Sequence, residues 1–258
     1  MASVTVSIPT LNEEKFISRC LNDLEEAINA CDEHSFEVNI VDSNSTDETV
    51  SIAEKHGVVD EIYTAEKGIL KSRDKGIREA SGDIVVCMDA DTTYPEDFLE
   101  NLLNPFKEDE NTVLTYGRAK GERTDFHVDS LARKIWQNSF PLIGLCWVNG
   151  SNRAFKKSAY MELDGYDISK DSDSVFKVMY EEQFMFPLKM KKLGHVEFIR
   201  SAESFQSHRT VDQLMLLNRK TGGRSWNFIK HYSFLSTFKT YILRLKGRIS
   251  TWTQRLSI

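Results

Sequence analysis

The stretch Val85–Pro95, VVCMDADTTYP, decides the fold prediction. An apolar run ends here at two aspartates, Asp89 and Asp91, which are separated by one residue. A charged side chain is costly to bury unless it is paired, so a buried strand should not end in carboxylates without a reason. In open parallel sheets, ligands bind just beyond the carboxyl ends of the strands. The stretch therefore predicts a buried strand whose end borders a functional site.

Strand and helix patterns alternate over the part of the chain that precedes Lys107. The strand-like apolar segments are Val4–Pro9, Phe36–Asp42, Glu61–Ala65 and Asp83–Asp89. The segments with apolar residues at helical spacing are Asn12–Ile28, Ser45–Gly57, Ile69–Gly82 and Pro95–Phe106. An asparagine followed by acidic residues, as at Asn12, is typical of a helix start. This alternation predicts right-handed βαβ units in an α/β fold, with a mainly parallel central sheet flanked by helices.

Polar residues lie at the ends of three of these strands. Asp42 and Asp89 close the second and fourth strands, and the turn Pro9–Leu11 follows the first. Because the carboxyl ends of parallel strands meet at one edge of the sheet, we expect the three segments to converge there.

Beyond Tyr116 the pattern is less regular. We expect a helix over Asp129–Phe140 and then a loop, short helix and Gly-closed turn over Val148–Asp167. A helix interrupted or started near Pro187 and a late strand over His195–Ile199 should follow.

Length and composition exclude several protein classes. The chain has 258 residues, which suits one large domain or one domain with an appendage. Its four cysteines are scattered without C-x-x-C spacing, which argues against a zinc site or a disulfide framework and favours reduced cytosolic thiols. Met1–Ser3 runs directly into a strand-like segment, so we expect no signal peptide. No apolar run reaches the roughly 18 residues of a membrane span.

Charge is distributed unevenly along the chain, whose net charge is −6. Gln213–Ile258 carries nine Lys and Arg residues and neither Asp nor Glu. Aromatic and aliphatic residues of this tail, from Phe234 to Leu256, fall on one helical stripe. Such a basic amphipathic helix predicts binding to an anionic membrane surface, and docking on the protein's own core or in a dimer is the alternative. The acidic remainder argues against a nucleic-acid partner.

The two aspartates of the opening stretch have the spacing of a metal site. Carboxylates at positions i and i+2 can chelate one divalent cation, and hard oxygen ligands favour Mg²⁺ or Mn²⁺. The motif alone is weak, because Asp171–Asp173 repeats it in a polar loop without a preceding strand. The apolar strand before Asp89 and the helix after Pro95 favour the first copy.

Five motifs together resemble the inverting family 2 glycosyltransferases, whose fold is called GT-A. In chain order they are SIPTLNEEKFISRCL, IVDSNSTDETV, KSRDKGIREASGDIVVCMDAD, NGSNRAFKKSAYMELDGYD and EEQFMFPLKMKKLG. The resemblance covers about residues 3–210 and implies a GT-A glycosyltransferase domain at 1–212. Within it, 1–118 would be the nucleotide-sugar-binding half and 119–212 the acceptor-side half, followed by the basic tail at 213–258.

The resemblance also implies which residues bind the nucleotide-diphosphate sugar. Residues near the base and ribose would be Pro9, Leu11, Glu13 and Asp42. Residues near the phosphates, sugar and metal would be Lys71, Arg73, Asp89, Ala90 and Asp91. Two of these have a plain structural alternative: a turn or capping role with Ser43 and Thr46 for Asp42, and a solvated helix face for Arg73.

The segment that should hold the catalytic base departs most from the pattern of the family. Family members carry Glu-Asp where this chain has Glu181-Glu182-Gln183. We expect Glu182, with Glu181 as the second candidate, to take a proton from the acceptor hydroxyl. An acceptor phosphate is already ionised and needs little help from a base. A solvated helix start is the structural alternative for the pair.

Three further features qualify the resemblance. Gln206 and Arg209 resemble the Q-x-x-R of processive members, but Thr210 replaces the usual tryptophan, which makes a polymerase doubtful. His208 would complete the metal shell, although a lone histidine is more often structural. Arg153 would bind a donor or acceptor phosphate through its planar guanidinium.

The sequence thus predicts a metal-dependent, inverting transfer of one sugar to a lipid-phosphate, glycan or other hydroxyl acceptor, with a UDP- or GDP-linked donor favoured. DADTTYPEDF resembles the D-A-D-x-Q-x-P-P-E run of polyprenyl-phosphate mannosyl- and glucosyltransferases, with Thr93 in place of Gln. We expect a cytoplasmic protein that binds the cytoplasmic face of a membrane peripherally through its tail. The alternatives are a catalytically inactive membrane or protein adaptor and, with less support, a nucleotidyltransferase.

Overall fold

A computed structural model describes residues 2–121, 148, 150–171, 178 and 180–207. The strands of this part of the chain form one sheet in the order β3-β2-β1-β4-β7-β6-β8-β5. Their bounds are β1 Ser3–Thr10, β2 Ser35–Asp42, β3 Glu61–Thr64, β4 Ile84–Cys87, β5 Thr92–Thr93, β6 Thr112–Gly121, β7 Arg153–Lys156 and β8 His195–Gln206. The predicted helix at Asp129–Phe140, His208 and the basic tail lie outside the described residues.

The first four strands are parallel, as the alternating pattern predicts. β1 pairs with β2 on one side and with β4 on the other, and β3 pairs with β2. In β4, Ile84 and Val86 face one apolar cluster, while Val85 and Cys87 face the other. Burial on both faces explains why this strand is apolar at every position.

The second half of the sheet contains antiparallel pairs that the sequence pattern does not predict. β7 runs antiparallel to both β4 and β6, and the two-residue β5 runs antiparallel to the end of β8. β6 and β8 are parallel to each other. The expected strand at His195–Ile199 extends to Gln206, and the expected loop before the short helix contains β7. The sheet is therefore mostly, but not entirely, parallel.

Helices cover both faces of the sheet. Their bounds are α1 Ile17–Asn29, α2 Thr49–Glu54, α3 Ile69–Glu79, α4 Phe98–Leu103, α5 Pro105–Glu108, α6 Lys157–Glu162 and α7 Phe186–Met190. A 3₁₀ turn covers Ile168–Lys170, and a π-helix covers Tyr180–Met185. α1 and α4 contribute to one apolar cluster, and α3, α6 and α7 to the other. Each fully buried Leu or Ile in these clusters contributes roughly 1.5–3 kcal/mol.

Two predicted helix boundaries are wrong. α1 begins at Ile17 rather than at Asn12, because Asn12 has a left-handed φ of 56° that a right-handed helix does not accommodate. The Asn12 side chain instead accepts a hydrogen bond from Thr46 N at 2.8 Å and thus joins two loops. The helix predicted over Pro95–Phe106 is divided into α4 and α5 and begins only at Phe98.

Across the part of the chain that the structure describes, no helix combines the length and the apolar content that crossing a bilayer requires.

Candidate active site

The predicted convergence at the carboxyl edge of the sheet is present in the structure. Thr10, the last residue of β1, is in register with Asp42, the last residue of β2. Met88 N donates to Ser7 O at 3.2 Å, so the chain leaves β4 beside β1 and reaches Asp89 at the same edge. The fold thus brings together three separate segments of sequence, two of which contribute a carboxylate, Asp42 and Asp89.

The Asp89–Asp91 turn is held from two sides. Asp89 N donates to the Tyr94 hydroxyl at 2.8 Å, and this hydroxyl donates to Ser151 O at 2.9 Å. On the other side, Ser207 Oγ donates to Asp91 Oδ2 at 2.8 Å, and Ser207 N donates to Asp91 O at 3.2 Å. The pairing of β5 with the end of β8 brings Ser207 to this position. The backbone of the turn and the Asp91 carboxylate are therefore held by contacts to other segments of the chain.

Arg73 of α3 joins this turn to the interior of the protein. Its guanidinium donates from Nη2 to Asp89 Oδ1 at 2.6 Å and from Nη1 to Gly150 O at 3.0 Å. Its Nε lies 2.7 Å from Glu182 Oε1, as an ion pair in which the N–H is not directed at the oxygen. Burial lowers the pKa of Arg73, but Glu182 and Asp89 outweigh burial and hold that pKa well above its usual value. The residue therefore remains charged and is not on a solvated helix face.

Glu182 also contacts a second arginine. Arg153 Nη2 lies 2.8 Å from Glu182 Oε1, and Nη1 donates to the Glu182 carbonyl oxygen at 3.3 Å. Arg153 is fully buried, donates to the Tyr166 hydroxyl and lies 5.2 Å from the ring centroid of Phe186. These contacts direct its guanidinium into the interior, and its predicted contact with a phosphate stays a prediction.

Glu181 and Glu182 are adjacent on the π-helix, and both are buried. Glu181 Oε1 lies 2.8 Å from Lys189 Nζ and accepts a hydrogen bond from Asp167 N at 3.2 Å. The pair is therefore not a solvated helix start. Single turns of π-helix occur often at functional sites, because the extra residue redirects neighbouring side chains.

Asp42 is engaged by its own neighbourhood. Its Oδ1 accepts from the hydroxyls of Thr10 at 2.9 Å and Ser45 at 2.5 Å, and its Oδ2 accepts from Ser45 N at 2.8 Å. These bonds correspond to the turn role that was the alternative reading of Asp42, although the partners are Thr10 and Ser45 instead of Ser43 and Thr46. A nucleotide-binding role for Asp42 stays a prediction.

The remaining predicted donor-site residues border the same edge. Pro9 is buried in β1, Leu11 is 36% exposed just beyond it, and Glu13 N donates to Thr49 Oγ1 at 2.7 Å. Lys71 Nζ lies 2.7 Å from Glu66 Oε2, and this hydrogen bond raises the pKa of Lys71. Lys71 N donates to Asp171 Oδ2 at 2.8 Å, so the second D-x-D segment contacts the start of α3.

The metal prediction can be tested against the donor atoms at the turn. The described residues contain no group of three or more His, Cys, Asp or Glu that could hold a metal ion. Asp89 and Asp91 supply two hard carboxylate donors, which suit Mg²⁺ or Mn²⁺. The positive charge of Arg73 on Asp89 Oδ1 disfavours a cation at that oxygen, so Asp91 is the better ligand. The donor chemistry fits a divalent ion whose remaining ligands come from substrate and water.

Sequence reasoning missed three residues that shape this site: Tyr94, Gly150 and Ser207. Tyr94 is part of the opening stretch, but nothing in the local pattern shows that its hydroxyl accepts a hydrogen bond from Asp89 N. A Cβ at Gly150 would lie 2.7 Å from Glu182 Oε1 and 2.8 Å from Arg73 Nη2, so only glycine fits there without displacing the ion pair. These roles depend on contacts between distant segments.

Comparison with known proteins identifies one family. The family model described as glycosyl transferase family 2 matches residues 5–163. The dolichol-phosphate mannosyltransferase of Pyrococcus furiosus is 29% identical over 126 residues, which cover 47% of this chain and 35% of that protein. A dolichyl N-acetyl-alpha-D-glucosaminyl phosphate glucuronosyltransferase of Methanococcus voltae is 32% identical over 146 residues, which cover 54% of this chain and 41% of that protein. The chain thus spans well under half the length of these two relatives.

A solved structure with the same fold is the mannosyltransferase of Pyrobaculum calidifontis in complex with GDP-Man and Mn²⁺. The TM-score is 0.55 at 23% identity, over 79% of this chain and 56% of that one. At this identity the likeness shows the GT-A fold and no more.

Proposed function

This chain belongs to glycosyl transferase family 2, and from that membership we propose that it transfers a single sugar from a nucleotide-diphosphate donor to an acceptor. The observation that carries the proposal is the fixed pair Asp89 and Asp91 at the carboxyl edge of the sheet, with the Arg73 guanidinium 2.6 Å from Asp89 Oδ1. That edge is where open α/β sheets bind ligands.

The donor diphosphate needs positive charge, because two negative phosphates must approach two carboxylates. We assign Asp91, with Asp89 beside it, to hold Mn²⁺ or Mg²⁺, and His208 is the further candidate. When bound, the ion neutralises the diphosphate and stabilises it as a leaving group. Arg73 adds a permanent positive charge at Asp89, and Lys71 is the second basic residue of the same helix. Pro9, Leu11, Glu13 and Asp42 would border the nucleoside.

The acceptor oxygen would displace the nucleoside diphosphate from the anomeric carbon in one in-line step, which inverts the configuration there. A hydroxyl acceptor requires a group that takes its proton. Both candidate carboxylates, Glu181 and Glu182, are already engaged by cationic side chains. This geometry favours an acceptor that is ionised before it reacts, so among the predicted acceptors a lipid phosphate fits best. The name of the Pyrococcus furiosus relative, a dolichol-phosphate mannosyltransferase, supports the same choice. The Methanococcus voltae relative shares the dolichyl carrier, but its named acceptor is a sugar on that carrier.

The proposed function includes peripheral binding of the chain to a membrane through its basic tail. A lipid-phosphate acceptor is presented at a bilayer surface, and the basic stripe of residues 213–258 suits an anionic surface.

The test is a thermal unfolding experiment with UDP, GDP, CDP and dTDP, each with and without Mn²⁺. A ligand that binds the native state raises the unfolding midpoint in proportion to RT ln(1 + [L]/Kd). We expect one nucleotide to raise the midpoint in a Mn²⁺-dependent way and Asp91→Asn to abolish the metal-dependent part. No shift with any nucleotide would contradict the transferase proposal and favour the inactive adaptor.

A further inference from the structure

We propose that Glu182 is a positioning residue: it fixes the guanidinium of Arg73 against Asp89, and Arg153 in turn fixes Glu182 from the interior. The inference rests on the proposed function, since it concerns how the donor end of that site is held. It assigns Glu182 a role other than that of a proton acceptor.

The contacts form one continuous line from the interior to the edge of the sheet. Arg153 Nη2 and Arg73 Nε lie 2.8 Å and 2.7 Å from the same oxygen, Glu182 Oε1. Arg73 Nη2 then lies 2.6 Å from Asp89 Oδ1. Side-chain exposure is 0% at Arg153, 6% at Glu182 and 4% at Arg73, and it reaches 26% at Asp89. Only the last member reaches the ligand-binding edge.

The packing around Glu182 leaves little freedom for its carboxylate. A Cβ added at Gly150 would lie 2.7 Å and 2.8 Å from the two Glu182 oxygens. Gly150 O also accepts the Arg73 Nη1 hydrogen bond at 3.0 Å. Three aromatic rings, those of Phe155, Tyr166 and Phe186, lie 5.2–6.0 Å from the Arg153 guanidinium. Close packing of this kind holds one arrangement rather than several.

The same contacts leave little access for an acceptor hydroxyl, because the Glu182 side chain is 6% exposed and two guanidinium groups share its Oε1. Taking a proton would remove the negative charge that two guanidinium groups share at Oε1. Arg153 would then be buried without its counter-ion, which is strongly unfavourable, and Arg73 would keep only Asp89. A positioning role needs no change of charge, so it is consistent with these contacts.

The role has a consequence for the donor. With Nη1 bonded to Gly150 O, Nη2 bonded to Asp89 Oδ1 and Nε ion-paired with Glu182, the Arg73 guanidinium is held by three partners. Arg73 then keeps a positive charge beside the diphosphate site without moving when the donor binds. Such pre-organisation favours donor binding in the ground state.

The test uses the nucleoside diphosphate that stabilises the wild-type chain, titrated calorimetrically in the presence of Mn²⁺. Partners that orient a ligand-binding group typically contribute about 10–100-fold in affinity. We expect that loss in Glu182→Gln. We expect a loss in the same direction in Arg153→Lys and Gly150→Ala, which alter the contacts of Glu182 and, at Gly150, also those of Arg73. The last two variants keep the test decisive if Glu182→Gln does not fold.

The matched control is Asp74→Asn. Asp74 lies on the same helix as Arg73 and is likewise a carboxylate paired with an arginine, since Arg78 Nε donates to its Oδ2 at 2.9 Å. Its Oδ1 accepts from the Tyr160 hydroxyl at 2.7 Å. We expect this variant to lose stability but to bind the nucleotide as the wild type does.

The outcomes distinguish a failure of the positioning role of Glu182 from a failure of the proposed transferase function. If Glu182→Gln binds the nucleotide as tightly as the wild type but loses turnover at high pH, Glu182 is a base and the positioning role is wrong. If its affinity falls while the shape of the pH profile of turnover is kept, the positioning role is supported. A wild-type chain that binds none of the nucleotides contradicts the proposed function itself, and with it this inference.

Discussion

Tyr94 shows how one side chain can determine the geometry of a site without reaching its ligand. Its hydroxyl accepts from Asp89 N and donates to Ser151 O, so it links the carboxylate turn to the segment before β7. Burial raises the pKa of Tyr94 well above its usual value, so the hydroxyl keeps its proton. The donating and accepting roles are therefore fixed at any ordinary pH.

Tyr94→Phe should disturb this turn specifically. The variant leaves the N–H of Asp89 and the carbonyl of Ser151 without their shared partner, and a buried unsatisfied group costs about 1–3 kcal/mol. We expect a lower free energy of unfolding in urea and a weaker Mn²⁺-dependent nucleotide affinity. Tyr63→Phe, on β3, is the control and should change neither quantity substantially. Unchanged nucleotide affinity in Tyr94→Phe would show that the turn is held without it.

At the level of single residues, the sequence predicts which side chains have suitable chemistry better than it predicts which atoms they contact. Asp89 and Asp91 could be selected because they follow the end of a buried strand, whereas Arg73 could be selected only through the resemblance to the family. The partners of Arg153 could not be predicted, since its buried charge is balanced by Glu182 from a later helix. A basic residue that is fully buried has no local signature.

At the level of elements, tight connections decide which glycines are required. Gly82 joins α3 to β4, and its N–H donates to Thr5 Oγ1 at 2.8 Å. A Cβ there would lie 2.7 Å from Thr5 N and 2.8 Å from Val4 C, both backbone atoms of β1. Gly57, after α2, has no heavy atom within 4 Å of such a Cβ.

These two glycines make a matched pair. Gly82→Ala should lower the free energy of unfolding by about 1–3 kcal/mol, because the backbone of β1 must shift to admit the methyl group. Gly57→Ala should stay within about 0.5 kcal/mol of the wild type. Chemical denaturation of both variants checks the difference. Equal free energies of unfolding for the two variants would mean that the backbone around Gly82 moves to admit the methyl group without an energetic cost.

The elements also show which signals a sequence carries. The parallel strands could be predicted because burial on both faces demands apolar residues throughout, as in β4. β7 could not, because two of its four residues, Arg153 and Lys156, are basic and its pairing partners are distant in sequence. The sequence likewise predicts the π-helix at Tyr180–Met185 only as part of a longer helix, because helical periodicity does not reveal a single inserted residue.

At the level of the whole molecule, stability should depend on pH through His34, next to the start of β2. Its side chain is largely buried, Nδ1 lies 3.4 Å from Ala2 O, and Nε2 has no hydrogen-bond partner among the described residues. Burial lowers the pKa of His34 below its usual value. The unfolded chain, whose histidine titrates near about 6.5, therefore binds more protons as the solution becomes acidic.

The free energy of unfolding should consequently fall as pH decreases from 7.5 to 5.5. The contribution of one histidine cannot exceed about 1.4 kcal/mol per pH unit. His34→Gln should reduce the slope of the free energy of unfolding against pH, which urea denaturation measures across this range. The difference from wild type separates the contribution of His34 from that of the other histidines. Parallel pH profiles for the two proteins would contradict the assignment.

The strand β6 has a consequence for how such a gene can be divided. β6 spans Thr112–Gly121 and pairs with β7 and β8, so it crosses the position where the nucleotide half was expected to end. Two fragments joined or exchanged at residue 118 would each inherit part of one strand, with unpaired backbone at the break. Recombination that shuffles acceptor-side halves among relatives should therefore succeed at the turn before Thr112 and fail inside the strand.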